Sequence, residues 1–201
     1  MMNSKKGIVV ALVLFVTMLG GAFFLYDKLT DEYDPSQMIV ADSGEMSGEV
    51  EKGAEDAQRY EKIIAPDFTV YDLEGNAVKL SDFYGKPLII NFWASWCGPC
   101  QMEMPEFQAA YDEYGDEINF VIVNMTDGSR ETVESASDYI EDSGYNFPVY
   151  YDTDMDAAAT YGVYTLPVTY FADSEGYLIA HAKSMLTSEM MAQGIGMIYA
   201  E

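Results

Sequence analysis

The stretch from Pro87 to Tyr114 constrains the fold more than any other part of this chain. Pro87–Trp93 reads PLIINFW, an apolar run with the length of one strand buried on both faces. Cys97-Gly98-Pro99-Cys100 follows, and a helical pattern covers Pro99–Tyr114. A buried strand leading into CxxC at a helix start is much more specific than CxxC alone. These are the only cysteines of the chain. They could form a structural staple, half of a metal site, or a pair that opens and closes.

The metal reading is the poorest. A closed zinc site takes four Cys or His ligands, and the chain holds two Cys and one His. A staple is also weak, because a bridge closing so short a loop restrains the unfolded chain little. The redox reading has a mechanism. Cys97 at the helix N-cap meets free backbone N–H groups and the positive end of the helix dipole, which stabilise a thiolate. Pro99 suits the first turn, where a missing N–H costs nothing. Cys100 lies on the same face one turn deeper, placed to resolve a mixed disulfide formed at Cys97.

The rest of Ile63–Glu201 is read as one domain of α/β class. A hairpin is expected around Glu74-Gly75-Asn76 within PDFTVYDLEGNAVKL. INFVIVN (Ile118–Asn124) is a second buried strand. Helices are predicted over Arg130–Asp142, Asp154–Tyr161 and Thr187–Tyr199, the last weakened by Gly194 and Gly196. Phe147–Tyr150 is extended, and Val168–Ala172 and Tyr177–Ala182 form a late hairpin through Ser174-Glu175-Gly176. The order predicts a mixed sheet with helices on both faces and a right-handed crossover from PLIINFW to INFVIVN.

Two further segments precede this domain. Lys5 and Lys6 are followed by Gly7–Leu25, 19 residues without a charge. As a helix that run spans about 28 Å, enough for a hydrocarbon core. Tyr26 sits at an interfacial position, and the lysines favour the cytoplasmic side, leaving the rest outside. Residues 1–26 are therefore predicted to be a single-pass anchor. A signal peptide cut near Gly20-Gly21-Ala22 is the competing reading, disfavoured because Phe23-Phe24-Leu25 continues the apolar run. No cysteine lies near the end of the run, which excludes a lipidated lipoprotein. Residues 27–62, with 11 acidic and 4 basic residues, read as a flexible acidic linker. Its span as a coil is roughly 35 Å.

The net charge is −24. Nucleic acid is excluded as a partner by repulsion from phosphate, and the acidic domain should not adhere to anionic headgroups. Asp152-x-Asp154-x-Asp156 fails as a calcium loop, because Ala157 and Val163 stand where Gly and Glu are needed. Asp152 or Asp154 is expected to cap a helix instead. Trp93 is assigned to the core and Trp96 to the rim of the site. His181 has no cysteine near it in sequence and receives no catalytic role. The sequon at Asn124-Met125-Thr126 ends a buried strand and is discounted.

WCGPC at Trp96–Cys100 is letter for letter the thioredoxin active site, and Pro105 falls where thioredoxins kink this helix. GVYTLPVTYF resembles the thioredoxin segment with a cis-proline facing the cysteines, which assigns that role to Pro167. The resemblance implies that Trp96, Gly98, Pro99, Leu166 and Pro167 contact substrate. More narrowly, APDFTVYDLEGNAVKLSDFYGKPLIINFWASWCGPC, FPVYYDTD and the predicted anchor are similar to the TlpA/ResA group of membrane-tethered reductases. Asn91 stands where thioredoxin has a buried Asp, so a proton acceptor is missing there. Glu103, three residues after Cys100, matches the carboxylate of ResA-type members. It is expected to take the Cys100 proton; the alternative is an ordinary charge on the helix surface.

The resemblance implies a reductase acting on disulfides of exported proteins, such as apocytochrome c, a methionine sulfoxide reductase or a peroxidase. It implies electrons from a membrane thiol carrier of the CcdA/DsbD type and no cofactor. The Gly98-Pro99 dipeptide resembles reducing thioredoxins. Two rival functions remain: a peroxidase of the peroxiredoxin type, disfavoured by Ala94 where a Thr is wanted, and a binding module with a locked disulfide.

Overall fold

The computed structural model describes residues 63–199 throughout, with residues 14, 17–20 and 39–40 from the preceding segments. The chain divides into two compact units, residues 1–35 and 36–201. In the first, residues 14 and 17–20 are helical, and the Thr17 hydroxyl donates to the Leu14 carbonyl at 2.9 Å. Among the described residues no helix is long and apolar enough to cross a membrane. The predicted span Gly7–Leu25 lies mostly outside them.

The second unit is built on one eight-stranded sheet. Its elements run β1 (Ile39–Val40), β2 (Thr69–Tyr71), β3 (Ala77–Lys79), β4 (Leu88–Trp93), α1 (Gly98–Tyr114), β5 (Asn119–Asn124), α2 (Val133–Ser143), β6 (Val149–Tyr151), α3 (Asp156–Tyr161), β7 (Val168–Ala172), β8 (Leu178–Ala182) and α4 (Ser188–Ile198). The spatial order is β1-β8-β7-β4-β5-β6-β2-β3. β4 is central, parallel to β5 on one side and antiparallel to β7 on the other. Every residue of β4 is buried, which is why its sequence is apolar except for Asn91.

Alternation along β4 divides the core in two. Ile89 and Trp93 face a cluster with Met104 and Phe107 of α1, Ala136 of α2, and Met191 and Ile195 of α4. Leu88, Ile90 and Phe92 face the opposite cluster, with Phe68, Leu80, Val163 and Ala157 of α3. This is the mixed, two-faced α/β sheet expected from the element order. The β2–β3 hairpin extends it beyond β6. The Asp72 carboxylate accepts from the Asn76 backbone and side chain at 2.8 and 2.9 Å, and Gly75 takes φ +83° in the turn.

Several placements differ from the sequence expectation, among them β6, which starts at Val149 rather than Phe147. α2 begins at Val133 rather than Arg130. Asp127 Oδ1 accepts the N–H groups of Ser129, Arg130 and Glu131, which holds those residues in a loop, and Thr132 then caps the helix. α3 begins at Asp156, and neither Asp152 nor Asp154 is its N-cap; Met155 is, at φ +56°. Asp152 still serves the helix start by accepting from Ala157 and Ala158 N–H at 3.2 and 2.8 Å, while Asp154 accepts from the Tyr71 hydroxyl at 2.7 Å. Finally, Ile39 and Val40, inside the predicted linker, pair antiparallel with His181 and Ala180 of β8.

The two glycines of α4 are not equivalent. A Cβ on Gly194 would lie 2.3 Å from the buried Phe171 ring, so that glycine lets helix and sheet approach. A Cβ on Gly196 would meet nothing within 4 Å. Gly194→Ala should therefore destabilise the fold by about 1–3 kcal/mol through overpacking. Gly196→Ala should stabilise it by up to about 1 kcal/mol through helix propensity. Urea denaturation of the two variants reads both signs, and equal effects would refute this packing account.

Candidate functional site

Cys97 and Cys100 are joined by a disulfide of 2.12 Å, with Cα atoms 5.2 Å apart. Cys97 occupies the N-cap of α1, and its sulfur accepts from the Cys100 N–H at 3.2 Å. A free N–H at a helix start thus aims at this sulfur, the arrangement that would hold a thiolate after reduction. Cys97 keeps 4% of its surface exposed and Cys100 none. Gly98 and Pro99 are exposed at the head of the helix. Only the Cys97 side of the bridge meets solvent, as sequential attack requires.

Beside Cys97 runs an open groove of about 540 Å³, lined by Trp96, Cys97, Pro99, Met155, Tyr164 and Leu166 among others. Leu166 belongs to the segment before β7, and the Leu166–Pro167 peptide bond is cis. Pro167 itself is buried. Trp96 is 41% exposed, and the Arg130 guanidinium lies 3.4 Å over its ring. Trp93 is fully buried, as expected of a core residue.

Glu103 is not a surface charge. It is 0% exposed on the same helix face as Cys100. Its Oε1 accepts from Asn91 Nδ2 at 2.9 Å, and its Oε2 accepts from the Leu186 backbone N–H at 2.8 Å. Burial raises its pKa to about 7, against the two hydrogen bonds, which favour the carboxylate. A carboxyl that exchanges a proton near neutrality is suited to general base and acid work. Asn91, from β4, also donates to Thr169 Oγ1 at 3.0 Å.

Sequence reasoning misses a second buried carboxylate. Glu131 is 0% exposed and accepts from Ser95 N–H and Oγ and from Asn124 Nδ2, each at 2.7 Å. It ties the turn before Cys97 to the end of β5. Asn124 is fully buried, which accounts for discounting its sequon. In sequence Glu131 reads as one more charge in an acidic amphipathic segment. Its only signal is the nearby Asp127, whose side chain keeps residues 129–131 out of the helix. Glu131→Ala should cost about 3 kcal/mol, because three donors lose a charged acceptor. Urea unfolding checks this, and a loss within about 0.5 kcal/mol, the ordinary surface range, would contradict it.

His181 lies in β8, its ring 5.6 Å from that of Tyr170, and burial lowers its pKa. It is not among the residues lining the groove. Among the described residues no cluster of three metal-ligating side chains occurs.

Residues 63–181 match the AhpC/TSA family. The chain is 35% identical over 129 residues to the thiol-disulfide oxidoreductase ResA of Bacillus thuringiensis subsp. konkukian, covering 64% of this chain and 73% of that protein. It is 31% identical over 135 residues to ResA of Bacillus subtilis, covering 67% and 73%. Its fold is similar to StoA from Bacillus subtilis (TM-score 0.56, 26% identity, 66% of this chain and 98% of that one). It is also similar to the exposed lipoprotein thioredoxin Etrx1 of Streptococcus pneumoniae (TM-score 0.54, 28% identity, 65% and 98%). With the CxxC pair at a helix start, a cis-proline segment beside it and these relatives, the chain belongs to the AhpC/TSA family as one of its thioredoxin-like thiol-disulfide oxidoreductases.

Proposed function

We propose that this protein is an extracytoplasmic, membrane-tethered reductase of disulfides in exported proteins. The observation that carries the reading is the asymmetry of the pair: Cys97 opens onto the groove while Cys100 is sealed behind it, on the same helix face as the buried Glu103. In the reduced enzyme the Cys97 thiolate attacks a substrate disulfide, forming a mixed disulfide and releasing one substrate thiolate. Glu103 takes the proton of Cys100. The Cys100 sulfur then attacks Cys97 Sγ, closing the bridge and releasing the second substrate sulfur as a thiolate. Two electrons pass from the pair to the substrate. Trp96, Gly98, Pro99 and Leu166 hold the substrate segment along the groove, with the buried Pro167 behind them.

The reductive direction rests on the Gly98-Pro99 dipeptide. Outside the cytoplasm the spent pair needs a dithiol donor, for which a membrane carrier of the CcdA/DsbD type is the fitting class. Lys5, Lys6 and the apolar Gly7–Leu25 support an anchor that keeps the domain near such a carrier. Residues 63–201 carry 23 acidic and 4 basic side chains, so a basic client is favoured electrostatically. Apocytochrome c in cytochrome c maturation is the client class proposed.

Cys100→Ser in the full-length chain tests this. The variant should accumulate mixed disulfides through Cys97, with exported haem-protein precursors among the captured clients, released by dithiothreitol. Failure to capture any exported protein, under conditions where the wild type is kept reduced, would overturn the reading.

A further inference from the structure

Asn91 is fully buried, and its Oδ1 has no hydrogen-bond partner. Its Nδ2 gives both of its protons away, to Glu103 Oε1 at 2.9 Å and to Thr169 Oγ1 at 3.0 Å. In this orientation the amide supports a charged Glu103, because a carboxylate only accepts. Glu103 Oε2 already faces the Leu186 N–H at 2.8 Å, so an added proton belongs on Oε1, toward Asn91. That proton would then confront the two Nδ2 protons. Buried donors set face to face are costly, and the site has a remedy that needs no repacking.

An amide group has nearly the same shape after a half-turn about its last bond. Turned over, Asn91 presents Oδ1 to Glu103 and to Thr169. The protonated Glu103 donates to it, and so does the Thr169 hydroxyl, which is donor and acceptor alike. Two hydrogen bonds exist in either orientation, with Oδ1 left unpaired in the first and the Nδ2 protons in the second. We propose that Asn91 is the positioning residue of the proton acceptor: its amide turns over when Glu103 gains a proton, and the Glu103–Asn91–Thr169 chain reverses its donor direction.

This inference rests on Glu103 acting as base toward Cys100. It explains why an uncharged amide suits this position on β4. A second carboxylate there would compete for the same proton, as interacting acids do. An apolar residue would leave Glu103 with the Leu186 N–H alone. Asn91 accommodates both states of Glu103 without titrating. The bonded groups facing Glu103 are Asn91 of β4, with Thr169 of β7 behind it, and Leu186 N–H from the segment before α4. Cys100 shares the helix face of Glu103, and among the described residues burial and the bonds from Leu186 and Asn91 account for the Glu103 shift. Thr169 lies two residues after Pro167, so the chain also links the base to the strand that follows the groove.

Nuclear magnetic resonance of the oxidised full-length chain in detergent micelles, with labelled Glu and Asn side chains, tests the proposal between about pH 5 and 9, a range that brackets neutrality. The Glu103 carboxyl carbon should titrate, and the Asn91 side-chain NH₂ should shift with the same midpoint. Cross-relaxation from that NH₂ to the Thr169 side chain should be present above the midpoint and lost below it. Glu103→Gln should fix Asn91 in the low-pH pattern throughout, because a Gln amide donates as the protonated acid does. If the NH₂ keeps its Thr169 contact at both ends, or Glu103→Gln shows the high-pH pattern, the turnover of the amide is refuted. Failure of the base role itself reads out elsewhere, as Cys100 titration and turnover left unchanged by Glu103→Gln.

Discussion

Glu103→Gln is expected to stabilise the oxidised protein by about 3 kcal/mol at pH 8 while leaving its stability at pH 4 nearly unchanged. Burial raises the carboxyl from 4.5 to about 7 in the folded state. Below pH 4.5 the group is protonated in both folded and unfolded chains and contributes nothing to the difference. Between pH 4.5 and 7 the folded chain still holds a proton that the unfolded chain has released. Stability therefore falls across that window, by about 1.4 kcal/mol for each pH unit, and stays low above it. Gln removes the titration and keeps an acceptor for the Leu186 N–H. The other acidic residues titrate in both proteins, so the difference between two denaturation series isolates Glu103. A difference that is flat from pH 4 to 8 would show that Glu103 ionises as if exposed. The same variant should turn over disulfides more slowly, so at this position stability and catalysis oppose each other.

The two cysteines should fail differently. Cys97→Ser removes the attacking sulfur, so disulfide reduction should drop to the uncatalysed background with no mixed disulfide formed. The remaining Cys100, fully buried, should resist alkylation in the folded protein. Cys100→Ser also loses turnover, yet its Cys97 should react with small thiol reagents at neutral pH, helped by the α1 N-terminus. Alkylation followed by mass spectrometry reads both. Rapid labelling of Cys100 in the Cys97→Ser variant would invert the assigned roles.

Much of this fold is legible in the residues because the signals are local and uncontested. PLIINFW and INFVIVN are predominantly apolar, interrupted only by asparagines, as strands largely covered on both faces require. CGPC can be placed at a helix start because Pro99 is favourable there. The pattern fails where a polar side chain overrides it. Arg130–Thr132 carry no breaker, and it is the Asp127 carboxylate that delays α2. The start of α3 departs from expectation because Asp152 acts across a loop instead of from the cap position. The pairing of Ile39 and Val40 with β8 is a contact across some 140 residues of sequence, on the order of a whole domain, which local patterns do not carry.

The site divides in the same way. Cys97, Cys100 and Glu103 stand at fixed offsets along one helix, so spacing and resemblance are enough to find them. Glu131 stays hidden because its burial depends on Ser95 and Asn124 coming from other elements. Asn91 is visible as a departure from thioredoxin, but its bonds to Glu103 and Thr169 exist only once β4, β7 and α1 are packed. Gly194 looks like a helix weakness, and its reason is a ring on β7.

The reduction potential of the Cys97–Cys100 pair, set by equilibration with buffers of known potential and read by thiol alkylation, addresses the central claim most directly. A reversible two-electron couple near the roughly −270 mV of thioredoxin is the expected result. A bridge that stays closed in every buffer would make it a structural staple, and a couple near about −120 mV would make the protein an oxidant. Either outcome contradicts a reductase built on these two sulfurs.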